Sequence, residues 1–154
     1  MHYWLMKTEP SSFSVEDLAA APRRTTAWDG VRNFQARNML RDEMKKGDLA
    51  FLYHSSTEVP GIVAVMEIVR EGYPDATAFN RRDDQYDPDS DPEAPRWYVV
   101  DVRLKRRLKR TIALTELRAH AGKELKGMAL LRPGNRLSIT PVTEAHWKFI
   151  LSLE

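Results

Sequence analysis

The sequence predicts an α+β fold, a small curved β-sheet or barrel with peripheral helices. Three observations predict it. Apolar, strand-like runs ("HYWLMK", "LAFLYHS", "GIVAVMEIV") are interspersed with capped amphipathic segments, without a regular strand–helix repeat. The second and third runs are joined by a short loop containing Pro60 before Gly61, which makes them antiparallel neighbours. No internal repeat or linker interrupts the chain, so residues 1–154 are read as a single domain, long enough to close a sizeable core.

The elements follow in order. "HYWLMK" is a first strand, dense in aromatic and apolar residues, and "TEPSSF" breaks it. Ser14 with Asp17 three residues on forms a capping box for a short helix through Ala21, which Pro22 ends. "TTAW" is extended, and Asp29-Gly30 turns the chain. Asn33 is an N-cap for a helix to about Lys45, with Ala36, Met39, Leu40 and Met44 on one face and Arg37 and Arg41 on another.

"KKGD" is a turn, and the strands "LAFLYHS" and "GIVAVMEIV" are apolar on both faces, as covered strands are. From Arg70 to Pro95 the periodicity fades into a long, proline-rich acidic loop. "WYVVDVRLKRRL" then alternates. Tyr98, Val100, Val102, Leu104 and Leu108 share one parity, opposite a mostly cationic outer face. "LTELRAHAG" is a helix with Thr115 as cap and Gly122 as stop. "RLSITPV" is the last strand, and Thr143 caps a final helix that turns Trp147, Ile150 and Leu151 inward.

Composition excludes several classes of function. The chain has no cysteine, which removes disulfides, thiolate metal sites and cysteine nucleophiles; a reducing, cytoplasmic address is the expected location. No apolar run reaches the ~18 residues of a membrane span. His2, His54, His120 and His146 lack any ligand spacing, so no metal is expected. Phosphate-cradling and dinucleotide glycine motifs are missing, so no cofactor is expected either. No GxSxG surrounds Ser55 or Ser56, and no catalytic residue is assigned.

The net charge of +2 conceals local fields: six acids fall in residues 83–93 and six cations in residues 103–110. The cationic strand either follows a phosphate backbone or is a solvated face that deters edge pairing, and the acidic loop can neutralise it.

The stretch "TTAWDGVRNFQARNML" carries the functional signal. A large flat ring sits on a turn just ahead of a helix start rich in amide side chains. Trp28 either packs the turn or offers a face to an unstacked base. Asn33 and Gln35 carry both donors and acceptors for a base edge, although Asn33 also serves as a cap. His54, at the end of a covered strand, either faces a cleft or is a satisfied structural histidine. Trp97 is either core or a second wall of the same pocket.

Beyond these readings, "YWLMKTEPSSFSVEDL", "WDGVRNFQARNMLR", "MKKGDLAFLYHS", "PGIVAVMEIVREGYPD", "PRWYVVDV" and "RLSITPV" together resemble the EVE domain, over residues 2–153 and in the same order. The resemblance implies a PUA-like fold, a compact barrel-like core with flanking helices. It also implies a non-enzymatic module that binds nucleic acid, DNA or RNA, and reads a modified base in an aromatic-lined pocket. On the matching positions it places Trp28, Asn33, Phe34, Gln35, Tyr53, His54, Ser55 and Trp97 around the base. Phe34 stands where the family often has tyrosine. Lys7, Thr8, Glu9, Arg32 and Arg96 fall at the phosphate-binding rim. Thr140 stands where the family often has glutamine, so no amide contact is expected there.

Two rival readings accompany this one. In the first, the chain is an enzyme acting on a nucleotide or small amide with His54 as acid–base. In the second, it is an interaction module that meets a protein partner through loop 83–95.

Overall fold

The structure, a computed structural model, describes all 154 residues. Six strands, β1 (Tyr3–Thr8), β2 (Thr25–Ala27), β3 (Leu49–His54), β4 (Gly61–Pro74), β5 (Tyr98–Ala113) and β6 (Ile139–Val142), form one sheet in the order β2-β5-β4-β3-β1-β6. β1 and β3 are parallel and every other pair is antiparallel. The α+β expectation holds, with the sheet open rather than closed into a barrel.

Helices α1 (Val15–Ala20), α2 (Phe34–Asn38), α3 (Leu114–Ala119) and α4 (Glu144–Ser152) cover the sheet. Strand alternation divides the core into two layers. Trp4, Met6, Ala50 and Leu52 pack with Val15, Leu18 and Leu40 on one face, and Leu5, Phe51 and Tyr53 pack with Leu117, Trp147 and Ile150 on the other. β4 and β5 serve both layers because register shifts along their pairing re-aim the side chains, so Leu104 joins the first core and Leu108 the second. No helix is long and apolar enough to cross a membrane.

Local sequence signals set most boundaries. The Ser14–Asp17 capping box forms in both directions, at 3.1 and 2.9 Å. Asn33 and Thr143 cap α2 and α4 through Ala36 N–H and His146 N–H. The helix expected from Asn33 to Lys45 is instead one α-helical stretch followed by a π-turn over Met39–Glu43, closed by Met44 N–H donating to Met39 O. Thr115 is not a cap: β5 runs through Ala113 and α3 starts at Leu114, leaving Thr115 inside the helix. β4 also reaches further than expected, to Pro74, so the long loop begins later.

One buried group is unsatisfied. Thr140, 1% exposed on β6 beside Leu5, has an Oγ1 with no hydrogen-bond partner. An orphaned hydroxyl costs about 1–3 kcal/mol. Thr140→Val keeps the branched shape and removes the hydroxyl, so it is expected to raise the midpoint of thermal unfolding by about 2–4 °C per kcal/mol recovered. A calorimetric scan checks this, and a lowered midpoint contradicts it.

Candidate nucleic-acid interface

The site is built around the turn that follows β2. Trp28 N–H donates to Val100 O at 2.8 Å, extending the β2–β5 ladder by one bond and fixing the residue against the sheet. The next two residues leave the sheet, and Gly30 takes a left-handed φ of +77°, which glycine adopts without strain. Asp75 then locks the turn. Its Oδ2 accepts from Gly30 N–H at 3.0 Å and from Arg32 Nη1 at 2.9 Å, while Oδ1 accepts from Thr77 N–H at 2.9 Å and its hydroxyl at 2.6 Å. Burial pushes the Asp75 carboxyl up. The bonds from Thr77, Gly30 and Arg32 outweigh that and hold it below the ordinary value.

Trp28 is only 7% exposed and is part of the first core. It is nevertheless not sealed in. A hollow of about 320 Å³ lies beside it, lined also by Phe13, Thr8, Ser12, Thr26, Asp29 and Gln85. Trp28 and Phe13 supply aromatic surface, and the other five supply hydroxyl, carboxyl and amide groups. This volume lies at the small end of ligand pockets, ~300–1,000 Å³, a size suited to a single base. Asp29 keeps an exposed edge, yet partial withdrawal from water and the nearby Asp75 and Asp83 carboxylates raise its pKa.

The residues expected around the base are brought together only in part. Trp28 and Thr8 meet at the hollow. Trp97 is not its second wall. It is buried some distance along the same rim, stacked on Phe34 with ring centroids 4.9 Å apart, and its Nε1 donates to Asp87 Oδ2 at 2.6 Å. Phe34 itself is 54% exposed, with the Arg37 guanidinium 5.0 Å from its ring centre. Tyr53 lies in the opposite core layer, because β3 alternation turns it away from the Trp28 face. Asn33 Oδ1 is engaged as the α2 cap, and Gln35 opens onto a separate groove with Arg132, Asn135 and Thr140.

His54 is a structural histidine here. Its Nε2 accepts the Val15 N–H at 3.1 Å, satisfying a donor at the start of α1, and burial lowers its pKa against the opposing pull of Glu16. That nitrogen is therefore committed to the fold, which counts against the acid–base reading. Ser55 N–H donates to Thr8 O at 2.9 Å, so β3 and β1 end side by side at the hollow's margin.

Of the rim cations, Arg32 is the one fully engaged. Arg32 is spent on Asp75, Val31 O, Thr77 Oγ1 and, at 2.6 Å, Gln85 O. Arg96 lies 3.6 Å from Asp87. Lys7, its pKa lowered by burial, has Nζ 5.9 Å from the centre of the Tyr53 ring. Glu9 is exposed, and its carbonyl accepts from Ser12 and Phe13 N–H, folding the loop that carries Phe13.

On the cationic strand, Arg103, Arg106, Arg107 and Arg110 pair with Glu67, Glu154, Glu16 and Glu116. The acidic loop is not their counterion. It folds back on the Arg32–Trp97 side, held by Arg32 and by Asp87.

Of the residues lining the hollow only Thr8 and Trp28 were expected at the site; Ser12, Phe13, Thr26, Asp29 and Gln85 were among those missed. Phe13 sat in a segment legible only as a strand breaker, and Gln85 in a loop legible only by its charge.

Comparison with known proteins gives consistent results. The EVE domain family profile matches residues 2–153. The chain is 49% identical to thymocyte nuclear protein 1 of Rattus norvegicus, over 99% of this chain and 74% of that one. It is 48% identical to thymocyte nuclear protein 1 of Homo sapiens, over 99% of this chain and 73% of that one. A crystal structure of human THYN1 protein in complex with DNA containing 5-methylcytosine is 46% identical, covers 99% of this chain and 97% of that chain, and superposes with a TM-score of 0.94. The cytoplasmic expectation is corrected by these relatives, whose name points to the nucleus. The absence of cysteine on which it rested does not distinguish one reducing compartment from another.

Asp75→Asn is expected to destabilise the protein by about 2–3 kcal/mol at neutral pH, since it removes a buried charge-assisted network and leaves Arg32 short of its partner. The Asp75 pKa is depressed by folding. Its contribution is therefore fully present above the unfolded value near ~3.9 and is lost as pH falls through the lower folded value. Urea unfolding at pH 7 and at pH 3 should show the gap between parent and variant narrowing in acid. A gap of equal size at both contradicts the assignment.

Proposed function

The chain belongs to the EVE domain family, and from that premise we propose that it is a non-enzymatic DNA reader that takes an extruded 5-methylcytosine into the hollow beside Trp28. One observation carries this reading. The aromatic-lined, base-sized hollow occurs in a chain whose fold is that of human THYN1 protein, solved with DNA containing 5-methylcytosine.

A base cannot present its ring faces to a protein while stacked in a duplex, so it leaves the stack at a cost of a few kcal/mol. Stacking on aromatic side chains returns about 1–3 kcal/mol per base. Phe13 and the part of Trp28 that meets the hollow supply that surface, while Thr8, Ser12 and Thr26 supply hydroxyls at its edges. The methyl group adds burial worth about 0.8 kcal/mol.

The carbonyl and carboxylate bonds that occupy Arg32 make it a positioning group in this reading, holding the rim in shape rather than gripping phosphate, while Arg96 is only loosely paired with Asp87. His54 likewise holds α1, whose leading loop carries Phe13.

Fluorescence anisotropy with duplexes that carry one 5-methylcytosine or one cytosine tests the reading. Phe13→Ala and Trp28→Leu are each expected to weaken binding about 5- to 150-fold, the stacking range above. The methyl group is expected to strengthen it about fourfold. Circular dichroism checks that each variant is folded. Binding that ignores both the methyl group and the two aromatic substitutions, and varies only with salt, overturns the proposal.

A further inference from the structure

We infer that Asp29 and Gln85 are the residues that select the base, and that they select an amino-pyrimidine over a pyrimidine with a carbonyl at position 4; the inference rests on the hollow being the base site. Both residues line it beside Trp28. Contacts of the backbone at Gln85 and on either side of Asp29 fix their placement, and neither side chain bonds to another residue.

Gln85 is held from two sides: its N–H donates to Asp83 Oδ1 at 2.8 Å and its carbonyl accepts from Arg32 Nη2 at 2.6 Å. Its side-chain amide bonds to no protein group. That amide rests over Gly30, where a Cβ would come within 2.8 Å of it, so the glycine makes room for the amide at the hollow. Asp29 is set by the turn that Asp75 locks through Gly30. Its neighbours Asp75 and Asp83 make this side of the hollow electronegative, and Arg32, paired with Asp75, offsets them only in part.

Such a lining favours a ligand that presents hydrogen-bond donors. Cytosine offers an exocyclic amine at position 4 and acceptors at N3 and O2. A carboxylate oxygen of Asp29 accepts from the amine, and the Gln85 amide donates to a ring acceptor. Thymine has the same methyl group but an oxygen at position 4 and a proton on N3. Its oxygen then faces the Asp29 carboxylate, which cannot donate. Stacking and methyl burial are the same for 5-methylcytosine and thymine. The edge contact alone separates them, and a site built for a hydrogen bond rejects the partner lacking it.

Single-stranded oligonucleotides that differ only by 5-methylcytosine or thymine at one position isolate this contact, because no duplex mismatch intervenes. The parent is expected to prefer 5-methylcytosine by about tenfold or more. Asp29→Asn, whose amide both donates and accepts, is expected to bind both bases and reduce that preference to about threefold or less. Gln85→Ala is expected to weaken 5-methylcytosine binding with unchanged thermal stability. A parent with no preference, or an Asp29→Asn variant that keeps it while Phe13→Ala still weakens binding, overturns this inference and leaves the hollow as the base site. Parent binding that Phe13→Ala does not affect overturns both.

Discussion

The buried Asp75 carboxylate is the constraint on which the site depends. It collects four donors from three residues: the Gly30 amide, the Arg32 guanidinium, and the amide and hydroxyl of Thr77. Those donors come from chain segments 43 and 45 residues away as well as from its own turn. A carboxylate this buried is unfavourable alone and is kept ionised only by bonds of this kind. Once formed, they fix the turn carrying Trp28 and Asp29. They also hold Arg32 where it binds the Gln85 carbonyl, so one charge organises both the Trp28 wall of the hollow and the edge that carries Gln85.

The sheet explains why the remaining expected residues are elsewhere. Adjacent positions on a strand point to opposite faces. The contiguous motifs "KTEP" and "FLYHS" are therefore split between two layers, which separates Lys7 and Tyr53 from Thr8 and His54. Tyr53 belongs with Phe51 and Ile62 in the second core, while the His54 ring reaches the start of α1 in the first. The charges divide in a similar way. Four arginines of β5 are balanced by glutamates from β4, α1, α3 and the C-terminus, which favours a structural face over a phosphate track.

Local chemistry was legible in the sequence and long-range placement was not. The Ser14 capping box and the Asn33 cap each rest on contacts within a few residues, and each forms as expected, whereas Gly30 behind Trp28 is held by Asp75 from 45 residues away. The indole was correctly placed on a turn. Its packing into the first core, with only part of it at the hollow, depends on where β5 and α1 arrive. Phe13, Gln85 and Asp75 had no local signal at all. They matter because a strand breaker, an acidic loop and the end of β4 converge on one turn, a product of strand order rather than of any motif. Thr115 erred for the opposite reason: a good capping residue was overruled by a strand that ran on to Ala113.

Family membership and geometry meet at the hollow, and its occupancy is the most direct measurement of the account. A crystal structure of this protein with a duplex carrying a single 5-methylcytosine should show that base outside the helix stack, lodged against Trp28 and Phe13. A methylated base still stacked in its duplex, or seated against Phe34 and Trp97 with the hollow occupied by solvent, would contradict it.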